Sequence, residues 1–209
     1  MKLSRWRIAA FLAACAITAL AFPVDAAVSQ WFEAHRRAGL NAAVLGATNA
    51  WTLGAFVWAT CAWLAFLHKW KQALLVGATT GISLALGSLV KICVNRERPY
   101  KSLEDFVALT VAHDASFPSN HTNGAFAAAI VLSAFLPRLR PAFYLFAAGV
   151  ALTRLYVGVH FFSDVCGGIA LALLSSSVAL GIAEAKGLLP AKAEEMKEGG
   201  VAEEGPEAE

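Results

Sequence analysis

Six stretches of this chain are apolar enough to leave water, and polar residues gather in the gaps between them. They cover residues 8–22, 52–67, 73–90, 124–136, 143–158 and 165–183. A hydrocarbon core of about 30 Å needs roughly 20 apolar residues of helix, so each stretch predicts a membrane-crossing helix. The fourth is short and lengthens outward through residues 119–122 if that stretch is buried among other helices. The expected fold is all-α, a polytopic bundle of six transmembrane helices formed by residues 1–185. Residues 186–209 read as an acidic, disordered cytoplasmic tail: from position 192 onward there are seven Glu and two Lys among Gly and Pro. Such a composition has no apolar surface with which to offset the entropy of ordering.

Composition agrees with the pattern. Hydrophobic residues make up 58% of the 209 and charged ones 15%, against about 45–50% and about 25% in soluble domains. No basic run carries interleaved aromatics, so nucleic acid is not an expected partner. The four cysteines, Cys15, Cys61, Cys93 and Cys166, are far apart and show no metal spacing, which reads as free thiols packing as small hydrophobes. A bridge between Cys93 and Cys166 is the alternative.

Basic residues in short loops orient the bundle. Lys2, Arg5 and Arg7 precede the first stretch, His68-Lys69-Trp70-Lys71 join the second and third, and Arg138 and Arg140 join the fourth and fifth. With six alternating helices these fall on one side, which is therefore cytoplasmic. Arg36 and Arg37 in the first outer loop dissent mildly. That loop, residues 25–51 with Trp31, Phe32 and Trp51, has room for a short interfacial helix with its aromatics at headgroup level. The first stretch is open to a second reading. Basic residues before an apolar run, with Val24-Asp25-Ala26 behind it, also suit a signal peptide and its cleavage site.

Against this background three polar clusters stand out, because ionisable residues are costly at bilayer depth and mark function there. The first runs from Lys91 to Pro99 and holds Arg98 just before the proline. Lysine supplies a point charge and arginine a planar fork for two phosphate oxygens. Proline turns the chain away from helix at Arg98. Arg96 and Lys101 suit cations that snorkel to the interface. The second cluster is Pro118-Ser119-Asn120-His121. Ser119 is positioned to cap the next helix, leaving the amides of Asn120 and His121 to bind an anion at its amino end. A protonated His121 would donate to a leaving oxygen. In the third cluster Arg154 lies inside an apolar stretch, and His160 and Asp164 stand four apart. A carboxylate that holds imidazole Nδ1–H leaves Nε2 free as base or nucleophile. The ends of spans three and five and the starts of spans four and six all face outward, so the three clusters meet at one depth on one face. His121, His160 and Asp164 also form a possible metal set, but Lys91, Arg98 and Arg154 would crowd that site with positive charge and favour an anion.

These three clusters resemble the signature of the type 2 phosphatidic acid phosphatase (PAP2) superfamily of membrane lipid phosphatases. Its parts are Lys, six residues, Arg-Pro; then Pro-Ser-Gly-His; then Ser-Arg, five residues, His, three residues, Asp. Residues 91–99 match the first. Residues 118–121 match the second except for Asn120 in place of glycine, and residues 153–164 match the third with Thr153 in place of serine. The resemblance implies that His160 attacks phosphorus to form a phosphohistidine, that Asp164 orients it and that His121 protonates the departing oxygen. It implies that Lys91, Arg98, Ser119 and Arg154 hold the phosphoryl oxygens. Asn120 keeps its backbone amide there and adds a side chain able to touch a second phosphate or the headgroup. No metal or other cofactor is implied.

The expectation is thus a hydrolase of lipid phosphates in a bacterial-type inner membrane, with its active site outside and its C-terminus in the cytoplasm. Undecaprenyl diphosphate is the first choice of substrate. Phosphatidylglycerol phosphate, phosphatidic acid and lipid A phosphates stay open. The loop 100–117, with Glu104, Asp105, His113 and Asp114, is expected to border the entrance as solvated residues. A vanadium haloperoxidase shares the anion-binding motif but is soluble and longer. A non-catalytic lipid-phosphate-binding protein would use the same cations but has no need of His121 or the His160–Asp164 pair.

Overall fold

The computed structural model describes residues 4–48 and 50–189. The side chains of residues 50–53, Trp51 among them, lie outside the described residues, as does the expected tail from position 190 onward. Among the described residues there are nine α-helices and no strand. They are α1 (Arg5–Ala21), α2 (Asp25–Ala34), α3 (Ala38–Ala47), α4 (Ala50–Phe66), α5 (Trp70–Val94), α6 (Pro99–Ser102), α7 (Asn120–Phe135), α8 (Arg140–Tyr156) and α9 (Phe162–Ala185). The six apolar stretches correspond to α1, α4, α5, α7, α8 and α9. Continuous helix is the economical solution for an apolar run, because every backbone polar group is satisfied within the segment.

Three helical segments are long and apolar enough to cross a membrane: Arg5–Ala34, Trp70–Ser102 and Phe162–Ala185. The helices α4, α7 and α8 are shorter, at 17, 16 and 17 residues. α7 does start early, at Asn120, so the short fourth stretch gains the turn beyond its apolar core. The loop expected to hold one short helix holds two, α2 and α3.

Many large apolar side chains face out, while small residues fill much of the interior. Trp58, Phe66, Leu20, Ile92 and Leu145 are more than 70% exposed, whereas α9 buries Gly167, Gly168, Ala170, Ala172, Ser175 and Ser176. Small residues let helix backbones approach where lipid tails offer no hydrophobic drive to associate. Hydroxyls and an amide join the interior: Ser83 Oγ donates to Asn123 Oδ1 (2.5 Å), Asn123 Nδ2 to the Ser83 carbonyl (2.7 Å) and Ser175 Oγ to Ser83 Oγ (2.8 Å). This network ties α5, α7 and α9 together. α7 is the central helix, packed against α5, α8 and α9.

α1 lies along α9. Near its start Arg7 forks onto Glu184 at the end of α9 (Nη2–Oε1 2.5 Å, Nη1–Oε2 3.2 Å). At its other end the chain turns through residues 22–24 into α2, whose first residue, Asp25, is buried. The sequence Val24-Asp25-Ala26 therefore opens a helix in contact with the bundle. All four cysteines are free.

Candidate active site

Two features of the chain bring the first cluster inward. Asn95 ends α5 in a left-handed conformation (φ 45°, ψ 43°), its N–H donating to the Lys91 carbonyl at 2.9 Å. Asparagine tolerates that conformation better than most residues. Pro99 then opens α6, with Arg98 extended before it (φ −84°, ψ 156°), as the residue before proline prefers. Lys91 and Arg98 end up buried, 5% and 3% exposed. Both guard one cavity of about 380 Å³, whose wall also includes Asn120, His121, Arg154 and His160. The clusters thus meet as the alternation of helix ends predicts.

The cations are held by carbonyls and by one carboxylate. Lys91 Nζ donates to the Ala115 carbonyl and lies 3.1 Å from Asp114 Oδ2. Arg98 donates from Nε to the Asp114 carbonyl (2.8 Å), from Nη1 to the Val159 carbonyl (2.6 Å) and from Nη2 to Asp114 Oδ1 (2.6 Å). Arg154 donates Nη2 to the Thr48 carbonyl (2.9 Å) just past α3, so this short helix anchors the third cation. Buried Arg154 Nε and His121 Nε2 have no hydrogen-bond partner among the described residues. Unpaired polar atoms in a cationic cavity are suited to an anion's oxygens.

His160 Nε2 lies within hydrogen-bonding reach of Arg98 Nη1, at 3.4 Å, so the nitrogen turned away from Asp164 stands beside a cation of the cavity. On the ring's other side Nδ1 is 3.4 Å from Asp164 Oδ2. That is ion-pair range, but the alignment of a hydrogen bond is absent and Nδ1 is unpaired. The carboxylate is held elsewhere. Oδ2 accepts from Ser116 Oγ (2.5 Å) and the Phe161 N–H (2.8 Å), and Oδ1 from Arg96 Nη1 (2.7 Å). The Phe161 contact is the acidic half of a capping box at the start of α9. Burial pulls the His160 imidazole from its ordinary value to about 4, against the opposing pull of Asp164. Burial thus favours the neutral form of the ring.

Ser119 occupies the N-cap position of α7, but its side chain caps nothing. Its hydroxyl accepts from Thr122 Oγ1 (3.1 Å), its N–H donates to the Asp164 carbonyl (3.0 Å), and it is not among the residues that line the cavity. Asn120 Nδ2 donates to Ser88 Oγ (3.1 Å). Thr153 shares a hydroxyl contact with Thr48 (2.7 Å).

Three residues given no part by the sequence reading belong to this neighbourhood. Asp114, expected to be solvated, has a half-exposed carboxylate bridging Lys91 and Arg98. Burial pushes this carboxyl up, but the two cations outweigh it and hold it below the ordinary carboxylate range. Arg96, expected to snorkel, turns inward to Asp164 and Asp25. Asp25 accepts from Ser163. One signal was available: a lone carboxylate at the end of an apolar run is costly unless paired.

Beside the polar cavity lies an apolar groove of about 880 Å³ between α4 and α5, lined by residues such as Trp58, Leu74 and Leu84. Asn120 and His121 belong to both walls.

Comparison with known proteins agrees with this geometry. The family model for the PAP2 superfamily matches residues 72–187. The chain is 31% identical over 180 residues to phosphatidylglycerophosphatase B of Bacillus subtilis, covering 78% of this chain and 85% of the relative. It is 29% identical to undecaprenyl-diphosphatase BcrC of the same organism, over 50% of this chain and 54% of the relative. It is 40% identical to a lipid A 1-phosphatase of Rhizobium johnstonii over 44% of this chain and 40% of the relative. The crystal structure of the transmembrane PAP2-type phosphatidylglycerolphosphate phosphatase of Bacillus subtilis superposes with a TM-score of 0.72 at 27% identity, covering 86% of this chain and 96% of that one. The matched region contains all three polar clusters and the helices that bring them together: the chain belongs to the PAP2 superfamily and is a phosphatase of that family.

Proposed function

We propose that this protein hydrolyses a lipid phosphate or diphosphate at the extracytoplasmic face of a bacterial inner membrane, through a phosphohistidine intermediate. One observation carries the reading: the cationic cavity holding His160 shares Asn120 and His121 with an apolar groove. A phosphate headgroup fits the first and its hydrocarbon chain the second. A soluble phosphate ester would have no use for the groove.

In this mechanism Lys91, Arg98, Arg154 and Asn120 hold the phosphoryl oxygens, with Ser119 setting the amino end of α7. Fixed donors aimed at developing charge in a site shielded from water supply most of the rate. His160 Nε2 attacks phosphorus in line, and the bond to the lipid-side oxygen breaks. His121 gives that oxygen its proton. Asp164 faces Nδ1 and stabilises the ring as it gains positive charge. Water, deprotonated by the now neutral His121, then attacks the phosphohistidine and releases inorganic phosphate. Asp114 gives up its ion pairs to the incoming anion.

Sidedness follows from the basic loops. Arg7 and Glu184 pair at the end of the bundle opposite the cavity, and the positive-inside rule makes that end cytoplasmic. Six crossings by α1, α4, α5, α7, α8 and α9 satisfy the same assignment.

Undecaprenyl diphosphate is the substrate we favour; Asn120, which lines the cavity, is the residue proposed to meet its second phosphate. Phosphatidylglycerol phosphate is the second reading, favoured by the extent of likeness to phosphatidylglycerophosphatase B. The test is phosphate release by detergent-purified protein on undecaprenyl diphosphate, phosphatidylglycerol phosphate, phosphatidic acid and lipid A, with His160→Ala in parallel. Preference for the diphosphate, lost in the variant by at least about 10³-fold, is the expected result; losses of that size accompany removal of a nucleophile. Preference for a monophosphate replaces the substrate and keeps the mechanism. Unchanged release by His160→Ala would sink the mechanism itself.

A further inference from the structure

The carboxylate facing His160 is completely buried. A charge in that position is costly unless paired and hydrogen-bonded. Of the side chains bonded to Asp164, the one carrying formal positive charge is Arg96, at 2.7 Å. Arg96 does not belong to Asp164 alone. Its other terminal nitrogen, Nη2, donates to Asp25 Oδ2, also at 2.7 Å, and Nη1 reaches Ser163 Oγ at 2.6 Å. Asp25 in turn accepts from the Ser163 N–H (2.8 Å) and Ser163 Oγ (2.5 Å), at the start of the helix that bears Asp164. The guanidinium carbon lies 4.6 Å from the Phe22 ring centre and 4.2 Å from that of Phe161, both within cation–π range. Phe22 and Asp25 come from the turn after α1. Phe161 adjoins His160.

We propose that Asp25 and Arg96 form a brace that sets the position and charge of Asp164, making the segment after α1 a positioning part of the catalytic centre. The inference rests on the phosphohistidine reading above for its consequence, not for its geometry. A planar fork can bridge two carboxylates at fixed separation, where a lysine cannot. The charge balance gives the brace its purpose. Two carboxylates and one guanidinium leave one net negative charge beside His160. That ring becomes cationic as Nε2 bonds to phosphorus, and the charge stabilises it. Without Asp25, Arg96 would neutralise Asp164 outright, and the developing imidazolium would face no net counter-charge. The loss would fall on the transition state and leave ground-state binding alone, because neither Asp25 nor Arg96 lines the cavity.

The test compares full-length wild type, Asp25→Asn, Arg96→Lys and Arg7→Gln on whichever lipid of the panel the wild type turns over. Arg7→Gln breaks the ion pair with Glu184 along the same helix pair, remote from the cavity, and reports purely structural weakening. Asp25→Asn and Arg96→Lys are expected to lower kcat tenfold or more with KM within about twofold, a transition-state loss of at least about 1.4 kcal/mol. Arg7→Gln is expected to lower the melting temperature and leave kcat alone. A second readout needs no lipid: carbethoxylation of His160 by diethyl pyrocarbonate, followed by mass spectrometry. It is expected to slow severalfold in Asp25→Asn relative to wild type. Slower carbethoxylation in a protein whose wild type releases no phosphate would keep the brace and remove the proposed function. Unchanged kcat and unchanged His160 reactivity in Asp25→Asn, or equal losses of kcat in Arg7→Gln, would overturn the brace.

Discussion

The cavity's cations already have an anion of their own. Asp114 places one carboxylate oxygen 3.1 Å from Lys91 and the other 2.6 Å from Arg98, in the manner a phosphate would. Its side chain is 57% exposed, so water screens these pairs and they are weaker than buried ones. A substrate phosphate, with more charge and more oxygens, should displace it. Asp114→Asn should therefore strengthen inhibition by orthovanadate by about three- to tenfold, which corresponds to roughly 0.7–1.4 kcal/mol. The check is the inhibition constant of variant and wild type under one buffer and salt. Weaker inhibition would mean that Asp114 arranges Lys91 and Arg98 more than it competes with the ligand. The residues proposed for catalysis were legible in the sequence because charge at bilayer depth demands explanation: Lys91, Arg98, His121, Arg154, His160 and Asp164 each stand out locally. Asp114, Arg96 and Asp25 did not, because their meaning lies in partners distant along the chain: Lys91 and Arg98 for Asp114, Asp164 for Arg96, and Arg96 and Ser163 for Asp25.

At the scale of helices, the site depends on how closely α9 approaches the amino end of α7. Gly168 makes that approach possible. A Cβ there would meet the Ser119 carbonyl oxygen at 2.7 Å and the Asn123 nitrogen at 3.2 Å. Both are backbone atoms and cannot rotate aside. Gly168→Ala should push apart the two helices that carry His121 and Asp164. The expected cost is about 1–3 kcal/mol of stability, the usual range for overpacking, with a fall in kcat as the histidines separate. Gly81→Ala on α5 is the contrast, since its Cβ would meet nothing within 4 Å. There alanine's better helix propensity should help by up to about 1 kcal/mol. Thermal unfolding in detergent reads both changes, and equal melting temperatures would count against the packing argument. Hydropathy located the helices well, since each of the six apolar stretches corresponds to one. It could not give their lengths. α4, α7 and α8 have 16 or 17 residues; α7 opens on Asn120 and His121 and the last turn of α8 holds Arg154, so polar cavity residues occupy those two helix ends. Nor did it find that the outer loop folds into α2 and α3, whose placement serves Asp25 and Arg154.

For the whole molecule, the fate of the first helix decides whether the site is complete. Basic residues, an apolar run and Val24-Asp25-Ala26 suit a removable leader as well as a retained helix. Local pattern cannot separate the two, because both begin as the same apolar helix. Packing argues for retention. α1 lies against α9, Arg7 pairs with Glu184 across that contact, and Phe22 and Asp25 enclose Arg96 behind the His160–Asp164 pair. Cleavage after Ala26 would cut within the first turn of α2 and leave Arg96 with Asp164 as its sole carboxylate. It would also uncover the face of α9 that α1 covers. The purified protein should therefore give an intact mass that includes residues 1–26. A version starting at position 27 should lose at least tenfold in kcat along with a lower melting temperature. A mature protein beginning near position 27 with full turnover would refute retention and the brace together, since a chain that works without Asp25 does not need it to hold Arg96.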